Sequence, residues 1–273
     1  MPVPEEAHEV IDHFLWLADD ILPGCIEGLY LVGSIALGDY KPGRSDIDFV
    51  VVAGDALSAE ELDRLEQVHR ALSADIPRPW FDGIYVTWSD LERGPEGIGD
   101  VPFTHEGKFA RDGGFEANPA VWLTLRNHPC AIRGPSAPRV WHDAATIRRW
   151  NIDNLNSYWR DLLSQGRDAA QRAAALESDV RVNRAVAWCV PGVARLHYTI
   201  AVGDVTSKSG ACCYALDTFP ERWSTVIKEA VALRHGEPLP SRDRASRFAD
   251  VLDFMEFVIE DAGRSHPDHQ PSC

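Results

Sequence analysis

The chain has 273 residues, 45% of them apolar, and carries a formal net charge of -15. That length admits one large domain or two of ordinary size, and the apolar share is enough for a real core. With carboxylates in excess and no dense Lys/Arg block, the composition excludes a phosphate-neutralising nucleic-acid surface; it favours a small cationic substrate, or serves solubility alone.

Taken in chain order, the start from Met1 to His8 carries Glu5 and Glu6 and no basic run leading into an apolar stretch, so no signal peptide is expected. Val10, Phe14, Leu17, Ala18 and Ile21 recur at helical spacing and predict an amphipathic helix over residues 5–22, stopped by Pro23-Gly24. Ile26 to Val32 reads as a strand, and Phe49 to Val52 as a strand buried on both faces. Ser58 with Glu61 forms a capping box ahead of a helix carrying Leu62, Leu65, Val68 and Leu72. Pro77 and Pro79 close that region, Ile84 to Trp88 supplies a further strand, and Ala120 to Leu125 is an apolar helix. From Thr146 onward the strand signals nearly vanish. Helices are expected over residues 146–164, 168–177, 182–202 and 244–262.

The fold class that follows is α+β. An N-terminal domain over 1–142, a mixed sheet with flanking helices, precedes an α-helical bundle domain over 143–263, and residues 264–273 form a flexible tail in which His266 and His269 are terminal residues rather than a metal site. No apolar run approaches the ~20 residues that span a bilayer, so no membrane partner is expected and the address is cytoplasmic. The six cysteines, at 25, 130, 189, 212, 213 and 273, show no zinc-ligand spacing and read as reduced thiols.

The chemistry is concentrated in Leu31-Val32-Gly33-Ser34, followed after eleven residues by Asp46-Ile47-Asp48 at the start of an apolar strand. Carboxylates at i and i+2 share one face of a strand, about 6.6 Å apart along it. Such a pair can frame two divalent ions roughly 3.5–4 Å apart beside a triphosphate, and hard oxygen ligands select Mg2+. Gly33 lets the backbone approach a phosphate closely, and the hydroxyls of Ser34 and Ser45 can donate to its oxygens. The bland alternative is an Asp pair that caps a loop at the end of a strand.

The run Gly33-Ser34, Lys41-Pro42 and Ser45-Asp46-Ile47-Asp48-Phe49 resembles the signature of the polymerase-β-like nucleotidyltransferase superfamily. More narrowly, it is similar to the aminoglycoside adenylyltransferases that modify streptomycin and spectinomycin. Gly134-Pro135, and Arg195, Tyr198, Gly203 and Ser207-Lys208, continue that likeness into the second half. The resemblance implies a Mg2+-dependent transfer of AMP from ATP to a drug hydroxyl, with resistance as the outcome. It assigns Asp46 and Asp48 to metal, and Gly33, Ser34 and Ser45 to ATP. Arg195 and Lys208 would act as a cationic clamp on the triphosphate from the helical domain, across a cleft between the domains. A third carboxylate is implied as metal ligand and general base. Glu106, before Gly107-Lys108-Phe109, is taken first, with Asp82 as the competing residue. The positions that the resemblance assigns to the drug fall on Leu176, Arg181, Ala185 and Trp188, which lack the family's acids; Trp122, Asp179 and Glu177 are the substitutes considered. The expected partners are ATP and a small cationic acceptor, for a monomeric chain. Two other readings stay open: transfer to a protein side chain or another metabolite, and a non-catalytic nucleotide-binding regulator.

Overall fold

In the computed structural model the described residues are 3–113, 117–171 and 178–264. The helix expected over 168–177 is therefore seen only to Gln171, and Glu177, Leu176 and the tail with His266 and His269 lie outside the described residues. The chain divides into two compact units, residues 1–143 and 144–273.

The first unit begins with α1 (Glu5–Ile21), which buries Ala7, Val10, Ile11, Phe14, Leu17 and Ala18 along one stripe. It leads into β1 (Ile26–Leu31), a four-residue turn of helix α2 (Gly33–Ala36), and β2 (Ile47–Ala53). Next come α3 (Ala59–Asp75) and β3 (Phe81–Thr87). The capping box that opens α3 is present as expected: the Ser58 hydroxyl accepts from the Glu61 N–H, and Glu61 accepts from the Ser58 N–H at 2.8 Å. A second box, Thr87 with Asp90, turns β3 directly into α4 (Trp88–Arg93), so the strand expected to reach Trp88 stops at Thr87. Two short strands, β4 (Phe103–His105) and β5 (Lys108–Ala110), then α5 (Pro119–Asn127) and β6 (Cys130–Arg133) complete the unit.

The six strands lie in the order β5-β4-β3-β2-β1-β6. β2 and β3 are parallel, joined by the α3 crossover, and the other pairs are antiparallel. Strand alternation sorts the side chains into two cores. Ile47, Phe49 and Val51 of β2 join Phe81 and Tyr85 of β3 under α1 and α3. Val50 and Val52 join Ile84 and Val86 on the opposite face, with Leu91 of α4 and Trp122 and Leu125 of α5. Even-numbered residues of both central strands thus share one face, and this is the face to which positions 48 and 82 belong, with Asp46 just before the start of β2.

The second unit is helical throughout its described residues. α6 (Ala144–Asn154) passes through a wider turn at Leu155–Trp159 into α7 (Arg160–Gln171), followed by α8 (Asp179–Val202), α9 (Lys208–Thr218), α10 (Ser224–His235) and α11 (Arg244–Arg264). α8 is long and apolar enough by composition to cross a bilayer. Much of its apolar surface is used in the core, since Val182, Val186, Val190, Val193 and Ala194 are fully buried with residues of α9, α10 and α11. Pro191 sits inside α8, and at the next position, Gly192, an added Cβ would lie 2.1 Å from the Trp159 ring, so the missing side chain lets that indole pack in. A buried ionic group pins the far helices together: Glu229, 2% exposed, accepts from Arg247 Nε at 3.0 Å and from Arg242 at 2.9 Å. The mixed sheet with flanking helices followed by a helical bundle is the α+β arrangement expected.

Candidate active site

Val32 continues β1 beside β2, its N–H donating to Asp48 O at 2.9 Å. The chain then turns sharply at Gly33, whose φ of 55° lies in the left-handed region. A Cβ there would fall 2.0 Å from Asp48 Oδ2, so the carboxylate of Asp48 lies directly against the glycine backbone. The next side chain, Ser34, has its Oγ buried and without a hydrogen-bond partner among the described residues. A buried hydroxyl of this kind is costly unless something else satisfies it.

The loop between α2 and β2 is strapped rather than loose. Asp39, 5% exposed, has Lys41 Nζ at 3.5 Å. Tyr40 donates its hydroxyl to Glu6 of α1 at 3.1 Å, and the Ser45 hydroxyl accepts from the Lys41 N–H at 3.0 Å. Burial and the Glu6 carboxylate push the Tyr40 phenol well above its ordinary range, so it stays a donor at any physiological pH. Ser45 and Asp46 are thereby delivered to the start of β2 in a fixed register.

On the neighbouring strand, Asp82 is the register partner of Asp48. Close approach of the two strands is permitted by Gly83, where an added Cβ would come within 2.0 Å of Phe49 O. The Asp82 carboxylate accepts from the N–H of Glu106 at 2.7 Å and of Gly107 at 3.0 Å, both in the turn joining β4 to β5. Each of its oxygens retains further acceptor capacity. Glu106 itself is exposed, at a φ of 50°, and it is its main chain that meets Asp82. The two residues considered for a third carboxylate are therefore neighbours, but Asp82 is the one in register with Asp48.

Asp46 lies 3.7 Å from Arg78, whose guanidinium stacks 3.2 Å above the Trp80 ring. Neither Arg78 nor Trp80 was singled out by the sequence, because a loop residue's approach to a strand end leaves no periodic signal. Among the described residues, no three His, Cys, Asp or Glu side chains are gathered into a ready-made metal cage. Mg2+ does not require one: it commonly takes one or two carboxylates and completes its shell with water and phosphate oxygens. The donor set at 46, 48 and 82, with Asp48 seated against the Gly33 backbone, and the unsatisfied Ser34 hydroxyl suit such an ion with its nucleotide.

In the second unit, Arg195 is half-buried on α8, and Lys208 opens α9 behind the Ser207 cap. Lys208 Nζ stands 5.1 Å from the ring of Trp188, which is 44% exposed and stacked on Trp159. Of the residues considered for the acceptor, Trp122 is corrected: it is 0% exposed, packed in the sheet core, and its Nε1 donates to Leu91 O at 3.1 Å. An apolar helix of nine residues gives the same sequence signal whether its tryptophan faces the core or a ligand. Asp179 is exposed in the first turn of α8 and paired with Arg244 at 2.9 Å.

The family described as nucleotidyltransferase domain matches residues 18–82, which contain Gly33, Ser34, Asp46, Asp48 and Asp82. A second family, the C-terminal domain of aminoglycoside adenylyltransferase, matches residues 177–260, which include Arg195 and Lys208. Together the two matches cover more than half of the chain. No curated protein matches the sequence. Among solved structures, a spectinomycin adenyltransferase, AAD(9), from Enterococcus faecialis with ATP and spectinomycin is similar in fold, with a TM-score of 0.60 over 93% of this chain and 98% of that one at 14% identity. Carrying both matched domains in order, this chain is an enzyme that belongs to the aminoglycoside adenylyltransferases of the nucleotidyltransferase superfamily.

Proposed function

We propose that the protein transfers AMP from ATP to a hydroxyl of an aminoglycoside or aminocyclitol, with Mg2+ held by Asp46, Asp48 and Asp82. The observation that carries this reading is the pairing of Asp48 with Asp82 across parallel strands, with Asp48 seated against the Gly33 backbone and a buried serine hydroxyl in want of a partner nearby. The likeness to an adenyltransferase solved with ATP and spectinomycin supports the choice of nucleotide and acceptor class. The net charge of -15 supports a cationic acceptor.

In this reading the Ser34 and Ser45 hydroxyls and the backbone at Gly33 hold phosphate oxygens. Mg2+ bound at the carboxylates would neutralise the triphosphate and make the α-phosphorus more electrophilic. Asp82, oriented by the Glu106 and Gly107 N–H groups, takes the proton of the acceptor hydroxyl. That oxygen bonds to the α-phosphorus as the bond from the α-phosphorus to the bridging oxygen breaks, releasing pyrophosphate. Positioning and electrostatics account for most of the rate, as in phosphoryl transfer generally.

Incubation of the protein with α-labelled ATP, Mg2+ and a panel of aminoglycosides and aminocyclitols tests the proposal. Label should appear on a drug together with pyrophosphate. Transfer only to a protein acceptor, or nucleotide binding with no pyrophosphate released, would overturn the assigned acceptor or the assigned reaction respectively.

A further inference from the structure

Arg78 stands beside Asp46 at the acidic centre of the first unit, and it is held there on two sides. Its guanidinium carbon stands 3.2 Å from the centre of the Trp80 ring, while Nη1 stands 3.7 Å from Asp46 Oδ1. The segment that carries both residues is tied to the strand bearing the acids, since the Ile47 N–H donates to Trp80 O at 2.8 Å. Stacking on an indole leaves the edge donors of a guanidinium directed outward in its plane, and that fork matches carboxylate and phosphate oxygens alike. Lys41, a cation of the loop before β2, faces the buried Asp39 at 3.5 Å. Arg78 is 61% exposed at its side chain and Asp46 40%, so an ion pair between them is weak and readily exchanged.

We propose that Arg78 is a positioning residue that occupies Asp46 until nucleotide and divalent cation arrive, and then transfers its guanidinium to a phosphate of the nucleotide. The inference rests on the active site proposed above. In the free protein Arg78 competes with a cation for Asp46. With nucleotide present, the competitor is drawn away to the phosphate and Asp46 becomes a full ligand. Metal and nucleotide then bind with positive coupling, each improving the affinity of the other by the same factor. A divalent ion without its nucleotide is held poorly, which keeps the site from filling unproductively.

The test is Mn2+ binding to the full chain, followed by the electron paramagnetic resonance of free Mn2+, with and without a non-hydrolysable ATP analogue. In Arg78→Gln, Mn2+ alone is expected to bind about two- to fivefold tighter, the range of an exposed ion pair removed from competition. The analogue is expected to bind more weakly, and its improvement of Mn2+ affinity to shrink. Arg78→Lys keeps the charge without the guanidinium and should restore part of the nucleotide affinity. Unchanged or weaker Mn2+ binding in Arg78→Gln, with wild type binding normally, overturns this inference alone, and so does tighter Mn2+ binding with the analogue's affinity and its effect on Mn2+ undiminished, since a guanidinium that never leaves Asp46 would give that result. Wild-type protein that binds neither Mn2+ nor the analogue overturns the active-site reading and this inference with it.

Discussion

Two requirements meet at Gly33. Its φ of 55° disfavours any side chain, and a Cβ would sit 2.0 Å from Asp48 Oδ2. Gly33→Ala should cost the fold only about 1–2 kcal/mol through the left-handed backbone, while displacing the carboxylate and lowering kcat/KM on the order of a hundredfold. Steady-state AMP transfer alongside a thermal melt separates the two effects. The place of Asp48 on the even-numbered face of β2 was legible in the sequence because the alternation of a strand is local. Asp82 stood second to Glu106 there because pairing between parallel strands is nonlocal. Its register opposite Asp48 is set by the α3 crossover, and the one local mark, the adjacent Gly83 at the close approach to Phe49 O, does not by itself say which strand lies opposite.

At the scale of elements, α3 was readable from end to end, since its start is written in Ser58 and Glu61 and its buried face in Leu65, Val68 and Leu72. One member of that face escaped notice. His69 is 2% exposed, stacked on Phe49 and Phe109 and hydrogen-bonded to the Tyr85 hydroxyl. Burial pulls its pKa down to about 3 from the ordinary 6.5, because the charged imidazolium cannot be solvated there. The unfolded chain therefore binds a proton that the folded chain refuses between those values. His69 favours the folded state fully above pH 6.5, and this is lost as pH falls toward 3, at about 1.4 kcal/mol per pH unit. Urea unfolding at pH 6.5 and 5 should show a steeper loss in wild type than in His69→Phe, whose ring suits the same aromatic stack. Equal slopes would contradict the assignment. The short β4 and β5 were not legible, because three residues are too few to show an alternation, yet their turn holds Asp82.

For the whole molecule, the two units differ in how their cores are closed. The sheet unit is sealed by apolar faces on both sides, whereas the helical unit also buries Glu229 between Arg242 and Arg247. Removing one partner leaves a buried charge uncompensated, so Glu229→Ala should cost about 3–5 kcal/mol of unfolding free energy in urea. Nothing in the composition separates such a group from the surface carboxylates that make up the net charge of -15. The helical half was legible as helices because apolar periodicity survives any particular packing, but α9 and α10 carry weak patterns and α8 conceals a core helix in a composition apolar enough for a membrane. The central claim is that carboxylates 46, 48 and 82 form one catalytic face of the sheet. It is tested most directly by measuring AMP transfer from labelled ATP in Asp48→Asn, Asp82→Asn and Glu106→Gln, each with a melting curve. The account predicts a loss of at least roughly a hundredfold for the two aspartate variants and near wild-type turnover for Glu106→Gln, with all three folded. Full turnover in Asp82→Asn together with loss in Glu106→Gln would contradict it.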